Sequence, residues 1–201
     1  MTILHVSDTH GKHNDINLNG LPHIDVVVHS GDFTFAGSEE EAYDFMNWFC
    51  DLEYPHKIFI AGNHDMCMYG AETIDGLPDN VHYLCNSGVV IEGFKFFGLP
   101  MFMEDFNDGN LDKMIKDIST DTDSLISHQP PYGFCDIFHG EHCGDRLLRE
   151  KLKELPRLKS HLFGHQHDAN SLMVNDGVIF SNAAVLDCYY NFIADPRIIE
   201  L

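Results

Sequence analysis

Five short apolar segments of this chain each run directly into polar residues of the kind found at active sites. The segments are Thr2–Ser7, Asp25–Ser30, Lys57–Ala61, Ser124–Ser127 and Ser160–Phe163. Short apolar runs that end at polar or glycine-containing turns are typical of buried strands. We therefore expect five strands whose ends place polar side chains in the loops that follow.

The polar groups at these strand ends contain histidine, aspartate and asparagine. They are Asp8–His10, Gly31–Asp32, Gly62–Asp65, Ser127–His128 and Gly164–His167. Taken alone, each group is a weak signal, because Gly-Asp, for example, is a common turn pair. In α/β sheets, however, the loops at strand ends converge to form binding sites. Five such groups in order therefore indicate one composite site.

The remaining pattern predicts an α/β fold. Ser38–Leu52 is expected to be a helix that begins at a serine cap, and strand–helix–strand order indicates layered α/β architecture. Val81–Leu84, Val89–Glu92 and Lys95–Leu99 have tight connections, which favour antiparallel pairing. Further elements are expected in the second half of the chain: helices over Leu111–Ile118 and Gly144–Leu155, and strands over Val178–Asn182 and Arg197–Leu201. Together these elements predict two mixed sheets packed face to face, with helices outside.

Length and composition limit the kind of protein. The 201 residues, 44% of them hydrophobic, suit a single domain spanning residues 1–201. No apolar run approaches the roughly 20 residues needed to span a bilayer, and the first ten residues do not have the pattern of a signal peptide. The expected location is therefore the cytoplasm, where the six cysteines are expected to be free thiols.

The formal net charge of −20 restricts the partners. It argues against strong binding to duplex nucleic acid, which needs clustered lysine and arginine, and against binding to an anionic membrane surface. An acidic protein can still bind a phosphate group if bound cations reverse the local charge. A small phosphoester is therefore compatible with this composition.

Together, the five polar groups resemble the signature of the calcineurin-like metallophosphoesterase superfamily. That signature consists of DxH, GDxx, GNHD or GNHE, an isolated histidine, and GHxH, and here it spans Asp8 to His167. The resemblance implies a four-layer αββα sandwich of two mixed β-sheets flanked by helices. The segment Ser127–Asp136 is also similar to THGPPxGxxD of the small, cap-free branch related to mammalian brain-expressed metallophosphodiesterases.

Two divalent cations held about 3.5–4 Å apart need a shared ligand, and Asp32 is the best candidate. Residues Asp8, His10 and His167 would complete one site, and Asn63, His128 and His165 the other. Nitrogen and oxygen ligands of this type suit Mn, Fe, Zn, Co or Ni better than Ca, and Mn is favoured as the cofactor.

The expected chemistry is attack on phosphorus by a hydroxide that bridges the two metals. By resemblance, His64 would donate a proton to the leaving group, and Asn63 and His64 would contact the substrate. Asp65 could orient His64 through a carboxylate–imidazole bond, or it could be an acid at a helix N-terminus.

The predicted function is a phosphodiesterase that acts on small phosphodiesters, cyclic nucleotides among them. Two alternatives remain: a phosphomonoesterase or protein phosphatase of the same fold, and a non-catalytic scaffold for protein interactions. The presence of His64 and of every expected ligand argues against the scaffold. The sequence does not indicate the oligomeric state.

Overall fold

The computed structural model describes every residue from Met1 to Leu201. The strands are β1 (Thr2–Val6), β2 (Val26–His29), β3 (His56–Phe59), β4 (Val81–Tyr83), β5 (Ser87–Ile91), β6 (Phe94–Leu99), β7 (Ser124–Ser127), β8 (Ile137–Phe138), β9 (Glu141–His142), β10 (Ser160–Phe163), β11 (Ser171–Asn175), β12 (Val178–Asn182) and β13 (Arg197–Glu200). The helices are α1 (Glu39–Asp51), α2 (Met103–Asp108), α3 (Asn110–Asp117) and α4 (Arg146–Lys151). None of these helices has the length and apolar character required to cross a bilayer.

Two large sheets contain most of the strands. The first has the order β13-β1-β2-β3-β4, in which β13 is antiparallel to β1 and the other neighbours are parallel. The second has the order β11-β12-β10-β7-β6-β5, in which the two edge strands β11 and β5 are antiparallel to their neighbours. Both sheets are therefore mixed, as the sequence predicted.

Alternation along the strands divides the core into layers, because successive side chains of a strand point to opposite faces. On β2, Val27 packs in a cluster with Phe45 and Phe49 of α1. Its neighbours Val26 and Val28 instead join a cluster formed with the second sheet. The outer face of the second sheet packs against helices through a further cluster, which includes Leu125, Ile115 and Leu148. The order helix, sheet, sheet, helix confirms the predicted αββα sandwich.

Helix α1 has a polar contact at each end. The Ser38 hydroxyl accepts a hydrogen bond from the Glu41 amide at 3.2 Å, and the Glu41 carboxylate accepts one from the Ser38 amide at 3.2 Å, which completes a capping box. At the other end, Nζ of the buried Lys57 donates to the carbonyl oxygens of Cys50 at 2.6 Å and Leu52 at 2.7 Å. A lysine of β3 thus supplies donors that the helix itself lacks.

Lys57→Met is expected to lower the free energy of unfolding by about 2–3 kcal/mol, because two carbonyl oxygens at the end of α1 lose a charged donor. Urea denaturation followed by circular dichroism measures the change. Lys113→Met, at an exposed lysine of α3, is the matched control and is expected to change stability by less than about 0.5 kcal/mol. Equal effects of the two substitutions would contradict the capping role of Lys57.

The predicted antiparallel pairing of the middle strands is only partly correct. β5 and β6 do form an antiparallel pair, but β4 pairs parallel to β3. The short connection after β4 leads from the first sheet to the second, so it joins two sheets and does not close a hairpin. A tight connection by itself could not distinguish these two arrangements.

Other elements were not predicted, or were predicted with different limits. β11 pairs with β12 around Asp176 and Gly177, which have φ values of 49° and 79°. Asp-Gly is a strong hairpin signal that could have located this turn. Helix α2 and the β8–β9 hairpin were also missed. α4 begins at Arg146, after the Asp145 cap, and not at the predicted Gly144.

Candidate metal centre

The seven predicted ligand residues lie together at one end of the sandwich. The first sheet supplies Asp8 and His10 after β1, Asp32 after β2 and Asn63 after β3. The second sheet supplies His128 after β7, and His165 and His167 after β10. All five of these strands are parallel to a neighbour and end at the same edge of their sheet. The topology therefore brings together residues that are up to 159 positions apart, the separation between 8 and 167.

Asp8, His10 and His167 form one group. Nε2 of His167 lies 3.4 Å from Oδ1 of Asp8 and 3.3 Å from Nε2 of His10. The three residues offer ligand atoms that all lie within 4.8 Å of one another. Such spacing is compatible with a single cation bound between them.

Asp32, His128 and His165 form a second group that meets the same distance limit of 4.8 Å. Nε2 of His128 lies 3.3 Å from Oδ2 of Asp32 and 3.1 Å from Oδ1 of Asn63. The same Oδ2 of Asp32 lies 3.8 Å from Nε2 of His10 in the first group. Asp32 is thus positioned between the two groups, where a shared ligand would be needed.

Backbone carbonyls orient three of the imidazole rings. Nδ1 of His10 donates to the Thr34 carbonyl at 3.1 Å, and Nδ1 of His128 donates to the Ser30 carbonyl at 2.9 Å. Nδ1 of His167 donates to the Asp187 carbonyl at 2.9 Å. Because each Nδ1 atom donates to a carbonyl, Nε2 is the nitrogen that faces the cluster, and it carries the lone pair when the ring is neutral, as metal binding requires. This arrangement of imidazoles is common at metal sites.

Two imidazole nitrogens that face each other bear on whether the site fits a cation. The Nε2 atoms of His10 and His167 are 3.3 Å apart, and the Nδ1 atom of each ring donates to a carbonyl. Two neutral imidazoles in this geometry would repel each other, whereas a proton or a metal cation between the two Nε2 atoms would be bound by both. The donor set therefore fits a metal ion.

The buried carboxylates of the cluster are held in their charged form, which favours binding of a cation. Burial alone would raise the pKa of Asp8, but the neighbouring imidazoles of His167 and His128 hold it well below its usual range. Asp32 shows the same balance, mainly with His128, and its pKa falls to about 2. Conversely, burial would lower the pKa of His128, but Asp32 and Asp8 outweigh it and raise the value to about 10. Both carboxylates thus remain charged although they are buried.

Four of the seven residues have backbone conformations that side-chain-bearing residues rarely adopt. The φ values are 57° for Asp8, 42° for His10, 55° for Asp32 and 67° for His165. Each conformation of this kind costs about 1–3 kcal/mol, and such residues cluster at functional sites. The fold therefore maintains local strain at the place where the polar residues converge.

Glycines allow the loops to approach this closely. A Cβ atom at Gly62 would overlap Oδ1 of Asp32 and would lie 2.7 Å from Cε1 of His128. A Cβ atom at Gly164 would overlap Oδ2 of Asp8 and the Ser7 hydroxyl. The glycines in Gly62–Asp65 and Gly164–His167 are therefore required by the space that the ligand side chains occupy.

Comparison with known proteins identifies the chain. A sequence profile described as calcineurin-like phosphoesterase matches residues 1–169. The chain belongs to this family.

Individual relatives of this phosphoesterase agree with that result. It is 31% identical over 207 residues to UPF0046 protein K07C11.7 of Caenorhabditis elegans, with 92% of this chain and 69% of the relative covered. It is 29% identical over 231 residues to metallophosphoesterase domain-containing protein 1 of Homo sapiens, with 98% and 69% covered. A crystal structure at 15% identity matches the fold with a TM-score of 0.64 over 91% of this chain and 90% of the other. The predicted resemblance is confirmed, and the chain is a metal-dependent phosphoesterase.

His64 lies beside the cluster of this phosphoesterase. Its backbone amide donates to Oδ1 of Asp32 at 2.8 Å, and its ring centroid is 4.7 Å from that of His10. Nδ1 of the His64 ring donates to the Phe35 carbonyl at 2.9 Å, so Nε2 is the nitrogen available for contact with a substrate. Since the residue is partly exposed, a substrate at the cluster can reach it.

The predicted bond between Asp65 and the His64 ring is not made. The Asp65 carboxylate instead accepts hydrogen bonds from the backbone amides of Asp32 and Gly62, at 2.9 and 2.8 Å, and from the amide and hydroxyl of Thr34, both at 2.8 Å. Asp65 does lie at the N-terminus of the 3₁₀ turn Met66–Met68, as the alternative expected, but its side chain makes no capping hydrogen bond to that turn. The buried Asp65 carboxylate therefore connects the loop that carries Asp32 to the loop that carries Asn63 through hydrogen bonds.

Some residues of the site gave no signal in the sequence. The carbonyl oxygens of Thr34, Ser30 and Asp187 orient the imidazoles, but any residue type could supply a carbonyl. The rings of Phe35 and Tyr190 lie at the rim of the site, outside every motif. Only the folded chain reveals these contributions.

Proposed function

We propose that this phosphoesterase hydrolyses small phosphodiesters, cyclic nucleotides among them, with two divalent cations, and that Mn²⁺ serves it best. The observation that carries the proposal is the pair of ligand groups on either side of Asp32. Oδ2 of this residue is 3.3 Å from Nε2 of His128 and 3.8 Å from Nε2 of His10. A carboxylate shared in this way is the usual bridge of a two-metal hydrolytic site.

Each cation would be held by four residues, with Asp32 common to both. Asp8, His10 and His167 would complete the first set, and Asn63, His128 and His165 the second. Imidazole and carboxylate ligands suit Mn, Fe, Zn, Co and Ni. When bound, the cations supply positive charge for the phosphate oxygens and lower the pKa of water for attack on phosphorus.

His64 is proposed as the proton donor to the leaving oxygen. The hydrogen bond from Nδ1 to the Phe35 carbonyl fixes the ring, and the backbone bond to Asp32 ties the residue to the centre. A proton on Nε2 can therefore be delivered at a defined position. General acid catalysis of this kind typically contributes about 10²–10⁴-fold to the rate.

Charge favours a diester over a monoester. A phosphodiester carries one negative charge near neutral pH, whereas a monoester carries up to two. No lysine or arginine forms an ion pair with Asp8 or Asp32, and the chain as a whole has a formal charge of −20. A substrate with less negative charge needs less compensation by the protein. The likeness to metallophosphoesterase domain-containing protein 1 supports a phosphoester as the substrate.

The test compares two chromogenic esters and two histidine variants. After chelation and reloading with Mn²⁺, Fe²⁺, Zn²⁺, Co²⁺ or Ni²⁺, the protein is expected to hydrolyse bis(p-nitrophenyl) phosphate faster than p-nitrophenyl phosphate. His64→Ala is expected to lower kcat by about 10²–10⁴-fold without loss of bound metal. His23→Ala, at a side chain that is 79% exposed, is the matched control and should retain full activity.

Three results would contradict the proposal. Absence of turnover with every cation would favour the scaffold alternative. Faster hydrolysis of the monoester would favour a phosphomonoesterase. Unchanged kcat in His64→Ala would remove this residue from the proton transfer.

A further inference from the structure

Two aromatic side chains at the rim of the centre have no part in the proposed hydrolysis. The Tyr190 ring centroid lies 5.0 Å from that of His10, at an interplanar angle of 81°, and 6.1 Å from that of His167. The Phe35 ring lies 5.0 Å from that of Tyr190, at an angle of 70°. We call these two residues the aromatic wall.

Tyr190 is held in place by the same backbone group that orients a proposed ligand. The Asp187 carbonyl accepts hydrogen bonds both from Nδ1 of His167 and from the amide of Tyr190, each at 2.9 Å. Nζ of Lys12 also donates to the Tyr190 carbonyl at 2.6 Å. These contacts fix the ring relative to the centre, so little conformational freedom would be lost when a ligand binds against it.

The backbone at Tyr190 is strained, with a φ of 62°. Residues other than glycine rarely adopt this conformation, and it persists only where the surroundings enforce it. In this loop, the Asp187 carboxylate accepts hydrogen bonds from the amides of Tyr189 and Asn191 at 2.8 Å each. The loop therefore maintains the position of the Tyr190 ring at an energetic cost.

Core packing does not account for the aromatic wall. Phe35 is 52% exposed and belongs to none of the hydrophobic core clusters. Tyr190 packs only partly against the small cluster of Val6, Val185 and Leu186. An exposed aromatic face beside a polar centre is typical of a ligand-binding surface.

We propose that the aromatic wall binds a flat aromatic substituent of the substrate, such as an aryl group or a nucleobase, and gives the site a preference for aromatic over aliphatic phosphoesters of equal size. The inference rests on the proposed function, because a phosphate group bound to a cation held by His10 and His167 would lie beside Tyr190, whose ring is 5.0 Å from that of His10 and 6.1 Å from that of His167. Contact between two aromatic rings typically increases affinity about threefold to tenfold beyond the contribution of the buried apolar area.

The test measures binding of three phosphonates, which are not hydrolysed, to the Mn²⁺-loaded protein by isothermal titration calorimetry. The quantity of interest is the Kd of cyclohexylphosphonate divided by the Kd of phenylphosphonate. Tyr190→Asn removes the ring and keeps a residue type that tolerates positive φ. It is expected to lower this ratio about threefold to tenfold relative to the unmodified protein, while the Kd of methylphosphonate stays within about twofold.

Phe35→Leu is a second variant at a residue outside the positive-φ set, and it is expected to lower the ratio in the same direction. Tyr189→Leu, at a neighbouring side chain that is 81% exposed, is the matched control and should leave the ratio unchanged. If the ratio in both Tyr190→Asn and Phe35→Leu equals that of the unmodified protein, the inference is overturned and the proposed function is not affected. Failure of all three phosphonates to bind, with hydrolysis of bis(p-nitrophenyl) phosphate retained, would overturn the inference alone. Failure to bind together with absence of that hydrolysis would overturn the proposed function and, with it, the inference.

Discussion

Asp32→Asn is expected to abolish hydrolysis, with a loss of at least about 10³-fold in kcat/KM, and to reduce the bound metal. The carboxylate lies between both ligand groups, and its Oδ2 is 3.3 Å from Nε2 of His128. An amide has the same shape but no charge, so both cations would lose an anionic ligand worth several kcal/mol. Each 1.36 kcal/mol corresponds to about tenfold in rate. Steady-state kinetics and elemental analysis of the bound metal measure the two effects.

The same substitution should not unfold the protein, because Asn retains an oxygen that can accept the 2.8 Å bond from the His64 amide. Asp176→Asn is the matched control: Asp176 is also an aspartate with positive φ, 49° against 55° for Asp32, but it lies in the turn of the β11–β12 hairpin. The control is expected to keep full activity. Two metals per chain and normal turnover in Asp32→Asn would refute the bridging role.

The second large effect is expected for Asp65→Asn, although Asp65 is not one of the proposed metal ligands. Both oxygens of the Asp65 carboxylate accept only from N–H and O–H donors, those of Asp32, Gly62 and Thr34 among them. In Asn, one oxygen is replaced by an NH₂ group that would face those donors. We expect a loss of about 3–5 kcal/mol in the free energy of unfolding and about 10–100-fold weaker metal binding.

Asp123→Asn separates loss of stability from loss of the site. Asp123 is also buried, and it accepts hydrogen bonds from the amide of Lys95 at 2.8 Å and from the Arg157 side chain at 2.8 and 3.1 Å. It lies at the opposite end of β7 from His128. The control should be less stable yet bind metal normally. If Asp65→Asn also binds metal with unchanged affinity, its carboxylate does not position the centre.

The convergence of the proposed ligand residues was predictable because each motif combines two local signals. An apolar run predicts where a strand ends at the edge of the sheet. The polar residues that follow the run predict which side chains lie at that edge. His128 illustrates this: it follows β7 directly, and its side chain lies within the cluster. Parallel strands then bring these ends together without any further information from the sequence.

Residues that act through the backbone could not be predicted in this way. Asp65 was expected to contact the neighbouring His64 ring, but it contacts amides of the loop 33 positions earlier, at Asp32. Tyr190 lies next to His10 only because the chain returns to β1 after β12, through the bridge between Ser7 and Ala184. The direction of β4 likewise depended on which sheet received the next strand. In each case the deciding contact is distant in sequence and leaves no local pattern.

The division of the ligands between two sheets has a mechanical consequence. Asp8, His10, Asp32 and Asn63 follow strands of the first sheet, and His128, His165 and His167 follow strands of the second. Cations held by both sets would clamp the open end of the sandwich, where the apolar layer between the sheets stops. A ligand that binds only the folded state at 100 times its Kd adds about 2.7 kcal/mol to the free energy of unfolding. The catalytic centre would then also act as a cross-link between the two sheets. Movement of one sheet relative to the other would require loss of the metal.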